Sequence, residues 1–480
     1  MLWILLLLAH PAGALWPFGR AEHPDRESLG LRRTAAELLA QAIRIDTTNP
    51  PGNERPLARY LVGFAEAHGL EARLIPAPGD EAPGRAAAWA RVRGNGARRP
   101  VVLLSHLDVV PADPGEWAVD PFAGVVDGGH VVGRGALDSK GVAVVQMLAL
   151  VELARSPARL ERDVILLATP DEETGGRAGA GRIVSEERAL LGDAEFLLTE
   201  GGSILPGEGG APDIWGVSFV EKSPCWIRVT ARGPPGHGST SGGDAAVPRL
   251  IAALERVRRL ETEVRVVPEV ARMFEALAPH AAAEDRAALA NLEAALSGDP
   301  VFRERFLSQP GRNALVRDTI SITVLEGSER TNVVPAVASA HLDVRLLPGG
   351  SCPAFLERLR TVVDDPSLGL EPLLSFATPS SPLDTELFDA IRRVARESDP
   401  PGRVVPRVIA GFTDAHYFRD LGIVAYGFVP RWLRPHEARR IHGPNERISI
   451  DNLERGVETL VRILEVLGRP AAAPPEPGDR

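Results

Sequence analysis

The chain has 480 residues, of which 44% are hydrophobic and 25% are charged, and its formal net charge at pH 7 is -10. This length is enough for two or three globular domains with buried cores. The acidic balance provides no basic footprint for nucleic acid, so we expect no nucleic-acid partner.

The amino terminus predicts a secretory signal peptide over residues 1–14. Its apolar run of about seven residues is too short to span a bilayer, and Ala12 and Ala14 form a cleavage pattern of the A-x-A type. A buried first strand or a wrongly chosen start codon is the alternative. No later segment is apolar enough to be a stable membrane span. We therefore expect a secreted or periplasmic protein.

Cysteine and lysine are both rare in this chain. Cys225 and Cys352 are the two cysteines, and they form either one disulfide in an oxidising compartment or two buried free thiols. Lys140 and Lys222 are the two lysines among 54 basic residues. A chain that otherwise uses arginine is expected to keep lysine where a compact ammonium group is needed.

Apolar runs that predict buried strands alternate with helical patterns in the first half of the chain. Strands are predicted at 100–104, 164–168 and 194–198, and helices at 141–154 and 179–189. This alternation is typical of βαβ units in a doubly wound α/β domain. Such sheets place their chemistry just beyond the carboxyl ends of the strands.

Acidic residues and a histidine follow these predicted strands. Glu172 and Glu173 leave one strand in different directions, so one carboxylate could hold a metal ion while its neighbour moves a proton. A solvated acidic turn is the alternative. Glu200 follows the next strand. His106 and Asp108 are two residues apart and share a face in extended backbone, which suits a metal ligand oriented by a carboxylate.

Asp138 lies in the glycine-rich segment GRGALDSKG, before a predicted helix. Its two carboxylate oxygens could bridge a pair of metal ions, whereas an N-cap for the helix is the alternative. The glycines fit neither the Walker spacing GxxxxGK(S/T) nor the dinucleotide-binding pattern GxGxxG, so nucleotide binding is not expected. Together the strand ends bring nitrogen and oxygen ligands to one edge of one sheet, as a divalent metal requires.

The sequence becomes strand-rich from about residue 217, and its order βαββαβ predicts a small α+β lid inserted into the first domain. Within the lid, His237 lies in a glycine-rich loop where core packing is not expected. Asn332 and Arg345 are candidates for binding an anionic group, although Arg345 could equally form a structural salt bridge. His442 lies in a later loop beside Gly443.

The predicted division of the chain has five parts. They are a signal peptide at 1–14, a catalytic zinc domain at 30–216 and 380–468, a lid or dimerisation domain at 217–379, a helical insertion within the lid at about 263–317, and a disordered tail at 469–480.

Eight motifs occur in a family-specific order between about Leu31 and Leu467. The chain closely resembles the co-catalytic zinc metallopeptidase family that contains aminoacylase, carboxypeptidase S, glutamate carboxypeptidase and succinyl-diaminopimelate desuccinylase. Within this family, the chain most resembles the branch of carboxypeptidase S and the secreted N-fatty-acyl-amino-acid hydrolases. The motifs are SHLDVVPA, GRGALDSKG, TPDEETGG, TEGG, PPGHGS, TNVVP, HLDVR and IHGPNERI.

The resemblance implies a zinc-exopeptidase-like mixed sheet with a ferredoxin-like lid, and two Zn²⁺ per subunit. It assigns one zinc to His106, Asp138 and Glu200, and the other to Asp138, Glu173 and His442. Glu172 matches the general base, and Asp108 the carboxylate behind His106. His237 resembles an oxyanion-stabilising histidine that the partner subunit supplies in dimeric relatives. Asn332 and Arg345 resemble residues that bind the substrate carboxylate, and His416 stands where relatives often have a carboxylate-gripping arginine.

The expected function is zinc-dependent cleavage of the amide bond of an N-acyl amino acid or short peptide with a free carboxylate, which releases the carboxyl-terminal amino acid. A Gly-Xaa-type dipeptide carboxypeptidase is one alternative, and a non-catalytic metal-binding homologue is another. A homodimer through the lid, as in dimeric relatives, is one expectation from the resemblance, and the alternative is that the inserted helical segment blocks or remodels that interface.

Overall fold

The computed structural model describes residues 26–77, 84–156, 160–207, 209 and 211–468. The predicted signal peptide and the predicted tail lie outside the described residues. The helices are α1 Arg26–Arg44, α2 Arg55–Ala67, α3 Lys140–Arg155, α4 Arg182–Glu186, α5 Ala246–Arg258, α6 Pro268–Leu277, α7 Arg286–Ala290, α8 Leu292–Gly298, α9 Pro300–Leu307, α10 Pro310–Leu315, α11 Cys352–Val363, α12 Glu386–Glu397, α13 Ala415–Arg419, α14 Pro435–Ala438 and α15 Ile450–Gly468.

The strands occur in both halves of the chain. They are β1 Glu71–Pro76, β2 Ala86–Val92, β3 Val101–His106, β4 Val125–Asp127, β5 His130–Val132, β6 Val164–Thr169, β7 Phe196–Thr199, β8 Ile204–Leu205, β9 Asp213–Glu221, β10 Ser223–Arg232, β11 Gly236–His237, β12 Thr319–Glu326, β13 Val333–Val334, β14 Val337–Leu346, β15 Gly369–Ser375, β16 Gly402–Ile409, β17 Val424–Gly427 and β18 Arg447–Ser449.

A large mixed sheet forms the first layer of the described structure. Eight of its strands follow the order β1-β2-β6-β3-β7-β17-β9-β16, and β8 pairs with β9. The central strands β6, β3 and β7 are parallel to each other, and all six residues of β3 and of β6 are buried. Their apolar runs are buried because helices cover both faces of such a sheet. The predicted α/β class with a doubly wound mixed sheet is confirmed.

Helices α1, α3, α12 and α15 build one side of the core. Helix α3 is buried along most of its length and contacts both α1 and α15. Helix α12 buries one face and begins at Thr385, whose hydroxyl accepts a hydrogen bond from the backbone N–H of Phe388 at 3.3 Å. This hydroxyl satisfies a backbone donor that the first helical turn leaves without a partner.

The helix predicted at 179–189 is broken into three short pieces. A π-helical turn at Arg177–Gly181 leads into α4, and a 3₁₀ turn follows at Arg188–Leu191. Gly179 lies so close to β6 that a Cβ atom there would be 1.8 Å from the carbonyl oxygen of Pro170. A side chain at this position would therefore clash with the backbone, which the apolar pattern does not reveal.

A second sheet has the strand order β12-β14-β10-β15, and every neighbouring pair in it is antiparallel. With α5 and α11 it follows the predicted order βαββαβ, and it encloses a separate apolar core. Cys225 in β10 and Cys352 at the start of α11 form a disulfide with a Cα–Cα distance of 5.4 Å. Strand β9 belongs to the large sheet and continues to Glu221, past position 217, where the lid is predicted to begin. The domain boundary at 217 remains a prediction.

Five helices, α6 to α10, lie within the predicted insertion at 263–317. They pack against the large sheet rather than against the lid core, because α6 contacts β16 and its residues Val270, Met273 and Phe274 belong to the main core. The insertion therefore extends the first domain at its β16 edge.

Candidate metal centre and substrate cavity

Three neighbouring parallel strands deliver three of the five candidate metal ligands, whereas Asp138 lies just before α3 and His442 follows α14. His106 ends β3, the Glu172–Thr174 turn follows β6, and Glu200 follows β7. Residues His106 and Thr169 are register partners across β3 and β6. The carboxyl ends of these strands therefore lie side by side, as the sequence predicts for a parallel sheet.

A tight turn after β6 presents Glu172 and Glu173. Asp171 adopts a left-handed φ of 80°, and its side chain accepts hydrogen bonds from the hydroxyl of Thr174 at 2.6 Å and from the backbone N–H of Ala178 at 2.8 Å. These bonds hold an unfavourable backbone conformation at the site.

The first ligand cluster consists of His106, Asp138 and Glu200, all buried. Nε2 of His106 lies 3.0 Å from Oδ1 of Asp138 and 3.5 Å from Oε1 of Glu200. The Nδ1–H of His106 donates to the backbone carbonyl of Asp108 at 2.9 Å, which leaves Nε2 directed at the two carboxylates.

The second cluster consists of Asp138, Glu173 and His442. Nε2 of His442 lies 3.2 Å from Oδ2 of Asp138 and 3.1 Å from Oε1 of Glu173. Asp138 therefore presents one oxygen to each cluster. His442 has a φ of 60°, a left-handed conformation that is uncommon for residues other than glycine.

Asp108 organises the acidic turn as well as His106. Its Oδ1 lies 3.4 Å from Nδ1 of His106 and accepts the backbone N–H of Glu172 at 3.1 Å. Its Oδ2 accepts the N–H of Glu173 at 3.0 Å. Burial raises the pKa of Asp108, but His106 and the hydrogen bonds from Asn49 and the backbone of Glu173 outweigh it and lower the pKa. One carboxylate thus fixes the positions of three candidate functional residues.

Glu446 carries no role in the sequence-based prediction, although it lies four residues after His442 in the same loop. It is fully buried. Its Oε1 accepts the backbone N–H groups of Leu137 at 2.6 Å and Asp138 at 3.0 Å, and its Oε2 accepts from Nη1 of Arg134 at 2.7 Å. Glu446 therefore fixes the backbone that carries the shared ligand. The signal in the sequence that could have identified Glu446 is that an acidic residue lies in the same loop as the predicted ligand His442.

The electrostatics of the clusters reflect crowded buried carboxylates. Burial raises the pKa of Glu200 to about 7. Burial and the neighbouring charge of Glu200 raise the pKa of Glu172 well above its usual value. Burial lowers the pKa of His442, but Asp138 and Glu173 outweigh it and raise that pKa to about 10. The centre therefore attracts positive charge.

The donor set fits divalent metal ions. Zinc binds imidazole nitrogen and carboxylate oxygen at about 2.0–2.2 Å, so tetrahedral ligands around one ion are roughly 3.4 Å apart. The nitrogen–oxygen separations of 3.0–3.5 Å in both clusters match this spacing. Four buried carboxylates also balance the charge of two divalent cations; they belong to Asp138, Glu172, Glu173 and Glu200.

A cavity of about 360 Å³ adjoins the clusters. Its polar end is lined by Asp138, Glu172, Glu173, Glu200 and His442, and Arg345 of β14 lines the same cavity. Arg345 is buried and pairs with Asp343 at 2.6 Å. Its guanidinium group lies 4.8 Å from the ring centre of Phe412. The structure thus brings Arg345 together with the predicted ligands and the predicted base.

The structure does not bring His237, Asn332 or His416 to this cavity. His237 and Asn332 are both exposed and lie near each other, because Gly238 donates its N–H to the carbonyl of Asn332 at 2.9 Å. His416 is buried and stacks on Phe376 with ring centres 3.5 Å apart. Burial lowers the pKa of His416 to about 4, so its ring is neutral at pH 7.

The amino-acid sequence matches the model of peptidase family M20/M25/M40 over residues 102–466. The chain belongs to this family. It is 30% identical over 378 residues to the N-fatty-acyl-amino acid synthase/hydrolase PM20D1 of Xenopus tropicalis, an alignment that covers 76% of this chain and 72% of the relative. It is 27% identical over 453 residues to aminoacylase-1 of Mus musculus, with 92% and 96% of the two chains covered.

Solved structures of other hydrolases have the same fold. The M20-family metallo-carboxypeptidase Sso-CP2 from Sulfolobus solfataricus superposes with a TM-score of 0.69 at 19% identity, and the match covers 90% of this chain and 99% of that one. Human carnosine dipeptidase 1 gives a TM-score of 0.69 at 17% identity, with 92% and 96% covered. The predicted family and fold are confirmed.

This M20-family chain is a metal-dependent enzyme of the amidohydrolase and peptidase type. That conclusion confirms the predicted enzyme class, and His106, Asp138 and Glu200 form a candidate metal site in it. Among the described residues, no helix combines the length and the apolar character that crossing a membrane requires.

Proposed function

We propose that this enzyme hydrolyses the amide bond of N-acyl amino acids with two zinc ions. His106, Asp138 and Glu200 would hold one ion, and Asp138, Glu173 and His442 the other. The observation that carries the proposal is the geometry of Asp138, whose two oxygens lie 3.0 and 3.2 Å from the Nε2 atoms of two different histidines. A carboxylate placed between two ligand sets is the arrangement that a two-metal site requires.

Zinc held by these residues would supply Lewis acidity that polarises the scissile carbonyl and makes water acidic enough to act as a nucleophile near neutral pH. Glu172 then accepts one proton from the water while the water oxygen attacks the carbonyl carbon. The C–N bond breaks as Glu172 returns that proton to the leaving nitrogen. One water is consumed, a carboxylic acid and a free amino acid are formed, and Glu172 ends in its starting state.

Arg345 is proposed to bind the carboxylate of the released amino acid. Its guanidinium group lines the cavity that contains the metal ligands, and arginine binds carboxylates through paired hydrogen bonds. Asp343 holds the Arg345 side chain in place through its Oδ1 atom. His416 is neutral at pH 7 and stacked on Phe376, so we do not carry its predicted contact with substrate into this mechanism.

Relatives support the N-acyl amino acid as the substrate class, because their names describe an N-fatty-acyl-amino acid hydrolase and an aminoacylase. The dipeptidases among the solved structures are less than 25% identical and support only the fold. We therefore keep dipeptide cleavage as the alternative outcome of the experiment below.

We also propose a homodimer in which the lid of one subunit approaches the cavity of the other. His237 and Asn332 are exposed on the lid, so they are accessible to a second subunit. In this arrangement His237 would donate a hydrogen bond to the developing oxyanion, and Asn332 would contact the substrate carboxylate.

Secretion or export to the periplasm remains part of the proposal. The disulfide between Cys225 and Cys352 supports it, because disulfides persist in oxidising compartments. The predicted signal peptide at residues 1–14 would provide the route.

The test is hydrolysis of matched N-acetyl, N-oleoyl and glycyl derivatives of one hydrophobic amino acid by zinc-loaded protein. Glu172→Gln should lower kcat by a factor of about 10²–10⁴ while the zinc content stays near two ions per chain. Glu66→Gln, a change of the same type at an exposed position of α2, serves as the matched control.

Each alternative has its own result in this experiment. Cleavage of the glycyl derivative alone would favour a dipeptide carboxypeptidase. No turnover of any derivative by the fully loaded protein would exclude the hydrolase and favour a metal-binding homologue. Equal activity of Glu172→Gln and the control would exclude Glu172 as the base.

A further inference from the structure

The helical insertion forms one wall of the substrate cavity. Helix α10 contributes Pro310, Gly311, Ala314 and Leu315 to the lining, and the opposite wall comes from residues 408–412 at the end of β16. The lining side chains of α10 and of residues 408–412 are hydrocarbon, and Arg407 and Thr413, on either side of that segment, line the cavity as well. Both walls face a cavity whose other end carries the buried carboxylates of the metal centre.

This apolar part of the cavity lies next to Arg345. Thr319, which begins β12 immediately after the insertion, is the register partner of Arg345 in β14. On the other side, the ring of Phe412 lies 4.8 Å from the guanidinium carbon of Arg345. The cation is therefore flanked by the chain that leaves α10 and by the chain that leaves β16.

We propose that the helical insertion forms the subsite for the side chain of the released amino acid and selects apolar side chains. This inference rests on the proposed function, because it requires the substrate carboxylate to bind Arg345. The carboxylate and the side chain of an amino acid are attached to the same Cα atom. A side chain must therefore lie beside the cation, where α10 and Phe412 provide apolar contacts, whereas the acyl group lies beyond the scissile amide at the metal centre.

The connection between the two sheets positions both walls of this subsite. Only Lys222 separates β9, which ends at Glu221, from β10. The buried ammonium of Lys222 donates to the carbonyls of Ala314 at 2.9 Å and Arg317 at 2.8 Å, and to the hydroxyl of Thr319 at 3.1 Å. Its three donors are thus directed at the end of the insertion.

Lys222 and its neighbour Glu221 also fix the cavity wall at the end of β16. The backbone N–H of Lys222 donates to the carbonyl of Ile409 at 3.0 Å. The carboxylate of Glu221 accepts the hydroxyl of Thr413 at 2.8 Å and its N–H at 3.0 Å. Ala314, Thr319, Ile409 and Thr413 all line the cavity. Lys222 is therefore a positioning residue that sets the distance between α10 and β16.

Ala314→Leu tests the subsite, because it adds three carbon atoms to the cavity wall. The assay uses zinc-loaded protein and N-acetyl derivatives of glycine, alanine, leucine and phenylalanine. The ratio of kcat/KM for phenylalanine over alanine should fall by about tenfold or more, the range that a few methylene groups produce in an apolar pocket. Ala287→Leu, the same change at an exposed position of α7 in the same insertion, should leave the ratio unchanged.

A second series keeps phenylalanine and varies the acyl group from acetyl to decanoyl. The proposal expects Ala314→Leu to affect all members of this series by the same factor. A selective loss of the longer acyl groups would assign the wall to the acyl group instead and overturn the proposal. A uniform loss on both series, or no change on either, would also overturn it.

Lys222→Met tests the positioning role, because methionine fills a similar volume but donates no hydrogen bonds. KM should rise at least about tenfold for the phenylalanine derivative and less than about threefold for the glycine derivative, with kcat and zinc content retained. A parallel loss of kcat for all derivatives would overturn the positioning role. If Lys222→Met does not fold, Ala314→Leu still tests whether α10 lines the side-chain subsite beside Arg345.

Failure of the proposed function can be distinguished from failure of the subsite. If the wild type hydrolyses no N-acyl amino acid, calorimetric binding of the N-acetyl derivatives replaces the kinetic assay. Tighter binding of phenylalanine than of alanine that is lost in Ala314→Leu would support the subsite without the hydrolase. Binding without any dependence on the side chain would overturn it.

Discussion

Asp138 is shared by both ligand clusters, and its position depends on a residue far away in the chain. Glu446, 308 residues later, accepts the backbone N–H of Asp138 at 3.0 Å and that of Leu137 at 2.6 Å. Groups that hold a metal ligand in place without touching the metal strongly affect metal affinity. Glu446 is such a group because it fixes the ligand's backbone.

Glu446→Gln should therefore weaken zinc binding by a factor of about 10–100. The amide retains one acceptor oxygen, but it places an N–H₂ group against backbone donors. The affinity is measured by competition with a coloured chelator, with exposed Glu66→Gln as the control. An unchanged zinc affinity would show that the loop around Asp138 keeps its shape without Glu446.

Burial of His416 makes the free energy of unfolding depend on pH in the acidic range. Burial lowers the pKa of His416 to about 4, whereas the pKa of an unfolded histidine is about 6.5. Between these values the unfolded chain binds more protons than the folded chain, so the free energy of unfolding falls as the pH decreases from 6.5 to 4. Among the described residues, Nε2 of His416 has no hydrogen-bond partner that could stabilise its protonated form.

His416→Leu should remove this component, which amounts to about 3 kcal/mol at pH 4. Urea unfolding of the variant and the wild type between pH 4 and 7.5 measures it, because other titrating groups cancel in the difference. His436→Leu, at an exposed histidine, should follow the wild-type curve. Parallel curves for His416→Leu and the wild type would contradict the prediction.

At the scale of elements, the helical insertion is held together by a cluster of aromatic rings. Phe306 in α9 is fully buried, and its ring centre lies 5.2 Å from that of Phe274 and 5.7 Å from that of Phe302. Phe274 lies in α6, which packs on β16. This cluster connects α10, through α9, to the large sheet.

Phe306→Ala should destabilise the protein by about 3–5 kcal/mol, because it removes a buried ring and leaves a cavity. The change is measured as the free energy of urea unfolding. Val301→Ala is the control in the same helix, since Val301 is 73% exposed, and it should change stability by less than about 0.5 kcal/mol. Equal effects of the two substitutions would mean that the insertion does not unfold with the core.

At the scale of the whole molecule, the lid sheet has an apolar edge. Strand β12 is an edge strand of the described sheet, and Leu325 is 68% exposed there, with Ile322 and Val324 each 37% exposed. An exposed apolar edge strand is a surface on which another chain can pair. A second copy that uses the same edge would form a closed twofold dimer.

Leu325→Lys should convert this dimer to a monomer with half the wild-type mass in light scattering after size exclusion. Leu373→Lys is the matched control, because Leu373 is 38% exposed on β15, the opposite edge of the same sheet. A dimer that survives Leu325→Lys but not Leu373→Lys would assign the interface to the other edge. Wild-type protein that is monomeric would exclude the dimer.

The sequence alone determined the α/β class and the approximate positions of the strands that carry His106, Glu172 and Glu200. Those features depend on local hydrophobic periodicity and on the residues that directly follow each strand, which neighbouring positions encode. The family and the enzyme class followed from motifs of the same local kind. The roles of the individual site residues remain predictions that the proposed experiments address.

Only the tertiary structure decided which distant residues meet. It placed Glu446 behind Asp138, joined Cys225 to Cys352 and set α10 as a wall of the cavity. It also left His237 and Asn332 exposed and stacked His416 on Phe376. These outcomes depend on packing between segments that are far apart in the chain or on the orientation of the lid, and no local pattern in one sequence encodes such contacts.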